Sequence, residues 1–321
     1  MFVLAVIAAV CGPVSAGAER FSFVAIGDMP YTLPADFAAF ARLIRRINQV
    51  TPAFTVHVGD IKSGSTPCSD AHFARILAMF GDFDQPLVYT PGDNEWTDCH
   101  RPDNGPYDPL ERLAKLRTMF FASPGASLGR SKLVLEHQGA EARFAKFVEN
   151  ARWERGGVLF ATVHVVGSNN NLQRDQAAVN EYLERNAANL AWIRATFARA
   201  IDRGAKAVVL FFQAHPWWEL DAREDQRSGF TDTIAVLKES AIRFGKPVVL
   251  VHGDSHRLVI DQPLIGPGRA RISNATRVMV HGDKEIHGVV IHVDSDDPDV
   301  FSYRPIYVPE NMPAFKPPPA R

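Results

Sequence analysis

Short apolar runs rich in Val, Ile and Phe recur along the chain, and each stops abruptly at a polar turn. Phe21-Ser22-Phe23-Val24-Ala25-Ile26 ends in Gly27-Asp28, and the run from Phe54 to Val58 ends in Gly59-Asp60. Leu87-Val88-Tyr89 passes through Thr90-Pro91 into Gly92-Asp93-Asn94-Glu95. The run from Ala207 to Phe212 ends in Gln213-Ala214-His215-Pro216, and Val248 to Val251 leads into His252-Gly253-Asp254-Ser255-His256. β-branched and aromatic runs bounded by turn residues predict buried strands. Between them apolar residues return at helical spacing: Phe37, Phe40, Ile44 and Ile47, then Phe73, Ile76, Leu77 and Phe80, then Leu110, Leu113, Leu116 and Phe120. Two more sets follow, around Leu190, Ile193, Phe197 and Ile201 and around Ile234, Leu237 and Ala241. These predict amphipathic helices. Arg42, Arg45 and Arg46 fall on the wet face of the first, and Ser69 or Asp70 can cap the second.

Gly156-Gly157 predicts a hairpin between strands at Val148–Trp153 and Val158–Val166. After Leu258 the pattern turns to short strands, with Val278-Met279-Val280 expected to pair with Val289-Val290-Ile291 through Gly282-Asp283. Strand–helix alternation followed by late hairpins predicts an α/β fold with mixed sheets and helices on the outer faces. The terminal motifs must meet to share a site, so residues 20–308 read as one domain, followed by an exposed tail at 309–321.

Five strands thus deliver a carboxylate or an imidazole at the same end: Asp28, Asp60, Asp93, His215, and Asp254 with His256. Ligands bind at the carboxyl ends of strands in open α/β sheets, and metal-assisted chemistry is the simplest use of such a set. Taken singly, each Gly-Asp is as readily a turn carboxylate capping a helix. His57 and His252 read as strand residues packed in the sheet, His281, His287 and His292 as part of the late hairpin, and Lys62 as a solvated loop lysine. Trp96, Trp217 and Trp218 either wall the pocket or belong to the core, and Asn169 to Asn171 lie where a loop can edge the site.

Composition changes this picture in two places. A net charge of −1 over 321 residues excludes a general nucleic-acid-polymer partner, though not a nucleotide as a small substrate. Residues 1–16 read as a secretory signal, with an apolar stretch from Phe2 to Val10 too short to span a bilayer and small residues at Val14-Ser15-Ala16. Its removal takes Cys11 and leaves Cys68 and Cys99, which in an exported chain, periplasmic or secreted, are expected to form one disulfide between two site loops. No further membrane-spanning run is present, so no stable span is expected once the signal is gone.

The five ordered motifs, from Asp28 to His256, resemble those of the calcineurin-like metallophosphoesterase superfamily, which includes purple acid phosphatases. The resemblance implies a four-layer α/β/β/α sandwich of two mixed sheets flanked by helices, two divalent metal ions, and hydrolysis of a phosphate monoester or diester by a metal-held water. Asp60 would bridge the metals, Asp28 and His256 would complete one, and Asp93, His215 and Asp254 the other. Asn94 and His215 are the expected catalytic residues, Asn94 as a donor to a phosphate oxygen. The motifs also depart from the family. Pro30 stands where the first block usually has a histidine, Asp93-Asn94 replaces Asn-His, and Asp254 replaces the first histidine of Gly-His-x-His. Asp28, Asp60, Asp93 and Asp254 bring about −4 of charge when ionised. That favours Mn²⁺, Mg²⁺ or Ca²⁺ over Zn²⁺ or Fe. An amide at position 94 cannot protonate a leaving group, so aryl esters should suffer least. The alternative is a metal- or ligand-binding module on the same fold with weakened catalysis.

Overall fold

The computed structural model describes residues 19–217 and 228–312. The expected signal, Cys11, Trp218 and the proline-rich end of the tail lie outside the described residues.

The first sheet opens with β1 (Arg20–Ile26), followed by α1 (Ala35–Val50), β2 (Thr55–His57), α2 (Asp70–Phe80), β3 (Leu87–Tyr89) and α3 (Pro109–Phe120). β1, β2 and β3 run parallel, as strand–helix–strand units require. Ser69 caps α2 by accepting from the backbone N–H of His72, and Asp108 caps α3 through Glu111. The second sheet contains β4 (Glu136–His137), β5 (Ala151–Arg155) and β6 (Val158–Thr162), with β5 and β6 paired antiparallel across the expected Gly156-Gly157 turn. A long α4 (Gln176–Asp202), β7 (Ala207–Phe211), α5 (Thr231–Phe244), β8 (Val248–His252), β9 (Val259–Asp261) and β10 (Ala275–Met279) complete it. β11 (Gly288–Asp294) and β12 (Phe301–Ile306) return to the first sheet. The strand orders are β12-β11-β1-β2-β3 and β4-β5-β6-β7-β8-β10-β9.

Residue alternation along the strands builds the layers. Val24 and Ile26 face Phe40, Leu43, Ile44 and Ile47 of α1, while Phe23 and Ala25 face the other sheet. In β7, Val209 and Phe211 point between the sheets, and Val208 and Leu210 meet Trp192, Ile193 and Phe197 of α4. The central layer is fastened by stacked and edge-on rings of Phe23, Phe54, Trp153, Phe160 and Phe211. Strands buried on both faces cannot show polar alternation, which is why they read as continuous apolar runs. The result is helices, sheet, sheet, helices: the expected four-layer α/β/β/α sandwich.

The late hairpin is corrected. β10 lies parallel to β8 in the second sheet, whereas β11 pairs with β1 in the first. Residues 280–287 carry the chain between sheets, and the backbone N–H of Asp283 donates to the carbonyl of Asp28 at 2.8 Å. A Cβ at Gly282 would sit 2.4 Å from that of Asp28, so the crossing needs glycine for close approach. Gly282-Asp283 is a turn signal used for a crossover.

Candidate functional site

The parallel strands of both sheets end along one edge. β1, β2 and β3 hand over to Asp28, Asp60 and Asp93, while β7 and β8 hand over to His215 and Asp254. Asp28, Asp60, Asp254 and His256 all sit at positive φ, between 53° and 79°. Non-glycine residues occupy this region at a cost, and such positions gather at working sites. The neighbouring glycines are needed for space: a Cβ on Gly92 would lie 2.1 Å from Asp60 Oδ1, and one on Gly253 2.2 Å from Asp28 Oδ2.

Hydrogen bonds knit the carboxylates to the loops. Both oxygens of Asp28 accept from the backbone N–H of Asp254, at 3.0 and 3.1 Å. Asp60 Oδ2 accepts from the Tyr31 hydroxyl at 2.8 Å and from the Asn94 amide at 2.7 Å, and Oδ1 accepts from the Asn94 backbone at 3.2 Å. Asp254 Oδ2 accepts from the backbone N–H of His215 at 2.8 Å. Glu95 Oε1 gathers three donors: Asp60 N at 3.1 Å, Gly92 N at 2.6 Å and the Tyr89 hydroxyl at 2.8 Å. Ser168, in a left-handed turn after β6, holds Oγ 2.8 Å from both Asp93 Oδ2 and Asp98 Oδ1.

Charge crowding is the dominant electrostatic feature. Burial, reinforced by Asp254, holds Asp28 well above the usual carboxylate range, and burial with Asp93 does the same to Asp60. Burial and then Asp93 push Asp254 and Asp98 up to about 7, and burial raises Glu95. Lys62 is fully buried rather than solvated as expected; its ammonium donates to the carbonyls of Ser63 and Asn94, which is why it tolerates burial. Burial lowers it to about 8, against the opposing pull of Glu95.

The expected residues do not all find the expected partners. The four aspartates share one charged neighbourhood, and His256 brings Nε2 within 4.0 Å of Asp28 Oδ1, its ring edge-on to Tyr31. Asn94 directs its side-chain N–H groups at Asp60 and the Tyr31 oxygen. His215 Nδ1 meets Ser255 Oγ at 2.6 Å, and its Nε2 meets Arg277 Nη1 at 2.8 Å. His57 and His252 are buried in the sheets, as expected, with His252 stacked on Phe212 and packed against His215. Trp96 is core, and Cys68 and Cys99 form the disulfide, with Cα atoms 5.8 Å apart. Sequence reasoning missed Tyr31, Glu95, Asp98, Ser168 and Arg277. The carboxylates at 95 and 98 follow Asp93 so closely that their density was a usable signal; Arg277 lies mid-strand and carried none.

Comparison with solved structures finds the same architecture. The chain is similar to a dimetal phosphatase from Danio rerio, with a TM-score of 0.52 and 11% identity over 89% of this chain and 98% of that one. It is also similar to a purple acid phosphatase from yellow lupin (Lupinus luteus) seeds, with a TM-score of 0.50 and 12% identity over 92% of this chain and 55% of that one. The chain has the calcineurin-like metallophosphoesterase fold. No family model and no curated protein matches it. At these identities the likeness is one of architecture, and the chemistry must be argued from the side chains.

The Danio rerio neighbour is a dimetal phosphatase, and the donor set of this chain fits divalent metals unevenly. Among the described residues no three His, Cys, Asp or Glu side chains already converge on a point that holds an ion. The carboxylates nonetheless suit hard dications: they are buried, they raise one another, and Asp93 Oδ1 is buried with no hydrogen-bond partner. His215 does not fit as a ligand, because its ring nitrogens face Ser255 and Arg277.

Proposed function

We propose that this chain is an exported, metal-dependent phosphoesterase that hydrolyses a small phosphate monoester or diester with water. The observation carrying the reading is the crowd of carboxylates, buried Asp28, Asp60 and Asp93 with half-buried Asp254, at the carboxyl ends of parallel strands from both sheets. Burying several like charges costs more than ordinary hydrogen bonds return, so such a cluster is retained where cations enter it. Divalent ions bound there would supply positive charge for phosphate oxygens and a more acidic water. Asp28, Asp60, Asp93 and Asp254, with His256 at the rim, are the residues proposed to hold them. Tyr31 and Asn94 orient Asp60, and Asn94 keeps the proposed part of donor toward the phosphate by swinging one N–H outward. Export is supported by the Cys68–Cys99 disulfide, which persists in oxidising compartments. Among the described residues no helix is long and apolar enough to cross a membrane.

The engagement of His215 favours the competing reading, a binding module with weakened catalysis. Metal-free protein loaded with Mn²⁺, Mg²⁺, Ca²⁺ or Zn²⁺ and assayed on an aryl phosphate and its bis-ester separates the two. Ester hydrolysis lost in Asp60→Asn is the expected result. Metal bound without Asp60-dependent turnover on either ester establishes the binding module. Equal rates on aryl and alkyl esters would count against the account of Asn94.

A further inference from the structure

Arg277 sits on β10 with 8% of its surface exposed. Its Nε donates to Asp261 Oδ1 at 2.7 Å and its Nη2 to Asp261 Oδ2, directly across the β9–β10 register. The guanidinium lies over the Trp217 ring, 5.3 Å from its centre. The remaining nitrogen, Nη1, is 2.8 Å from His215 Nε2. A guanidinium donates and never accepts, so Nε2 is the acceptor and its lone pair is spent on Arg277. The ring proton therefore sits on Nδ1 and faces Ser255 Oγ at 2.6 Å. A metal ion would need that same Nε2 lone pair, since metals bind neutral imidazole through an unprotonated nitrogen. Arginine and metal cannot both have it.

We propose that Arg277 replaces one of the two cations: the chain takes up a single divalent ion, at the Asp28–Asp60–Asp93 side, while a fixed guanidinium occupies His215. Three restraints on Arg277 make the substitution permanent: the forked pair to Asp261, the Trp217 face and the imidazole. Asp254 is tied to the same arrangement, because its Oδ2 accepts from the His215 backbone N–H. His215 is then a positioning residue that fixes Arg277 and Ser255, and the mixed donor set of the fold is reduced here to its oxygen-rich half. This inference rests on the metal-dependent reading above.

The test counts ions on the full chain. Metal-free protein is titrated with Mn²⁺ by calorimetry, and bound Mn²⁺ is followed by electron paramagnetic resonance. One ion per chain with an uncoupled six-line spectrum is expected for the wild type. His215→Ala should keep that count and its affinity within about threefold, since no ligand is lost; the corresponding free-energy change is below about 1 kcal/mol. Arg277→Met, which frees Nε2 while keeping an apolar stem against Trp217, should admit a second ion. Imidazole ¹⁵N spectra give a reading that needs no variant: the His215 tautomer and shift should stay unchanged when Mg²⁺ is added. Two spin-coupled ions in the wild type, a drop in count or a tenfold loss of affinity in His215→Ala, or a shift of the His215 nitrogen on Mg²⁺ addition would each overturn the proposal. Those outcomes leave the metal-dependent phosphoesterase standing, whereas no Mn²⁺ uptake by the wild type removes both. Should Arg277→Met fail to fold, the wild-type count, His215→Ala and the ¹⁵N measurement still decide.

Discussion

Glu95 allows a stability measurement that isolates how the site loops are organised. One oxygen, Oε1, accepts from Asp60 N, Gly92 N and the Tyr89 hydroxyl, and the residue is fully buried. Truncation by Glu95→Ala strands three buried donors, each costing about 1–3 kcal/mol to leave unpaired, so a loss of about 3–9 kcal/mol is expected. Glu95→Gln keeps an oxygen where Oε1 stands and replaces Oε2, which has no hydrogen-bond partner, by an amide nitrogen. It also removes a charge that raises Asp28 and Asp60, so the cost of an unpaired N–H is offset by relief of repulsion. The net change for Glu95→Gln should stay within about 1 kcal/mol. Urea unfolding of metal-free protein, followed by tryptophan fluorescence at neutral pH, gives both values. Amide exchange at Asp60 and Gly92 should accelerate in the alanine variant and not in the glutamine one. Equal losses in the two variants would refute the reasoning, because they would mean that the charge, and not the acceptor oxygen, holds the loops.

Other consequences are as direct. The Cys68–Cys99 bridge closes a separation of 31 residues, so its removal should cost about 3–4 kcal/mol on the chain-entropy account. Native protein should resist alkylation at both cysteines until a reductant is added, and free labelling in air would contradict the bridge. His57 is held neutral by burial, down to about 3 from its ordinary 6.5. A group lowered in the folded state contributes its full stability above the unfolded value and loses it as pH falls. Stability should therefore drop between pH 6.5 and 3 by about 1.4 kcal/mol per pH unit from this residue, and His57→Gln should flatten that limb of the curve. Divalent ions should raise the melting temperature of the wild type, by mass action on the folded state. Asp93→Asn should shrink that rise, and an undiminished shift would place the ion elsewhere.

Much of the molecule was readable from local pattern. Burial on both faces makes β7, β8 and the second half of β1 continuous apolar runs, and the sharp turns after β1 and β8 carry Gly-Asp, so both strand and site edge announce themselves within a few residues. Helix periodicity and the Ser69 cap are equally local. Pairing is not local. Val278 and Val289 look alike in sequence, yet one joins β8 and the other β1, because which sheet edge lacks a partner is settled only when both sheets exist. The same holds for charge. Lys62 is an ordinary loop lysine until the carbonyls of Ser63 and Asn94 close around it. Arg277 is an unremarked strand residue until β9, Trp217 and His215 enclose its guanidinium. Short-range sterics and hydrophobic period write themselves into neighbouring residues, whereas a hydrogen bond across 62 positions depends on the packing that brings its ends together.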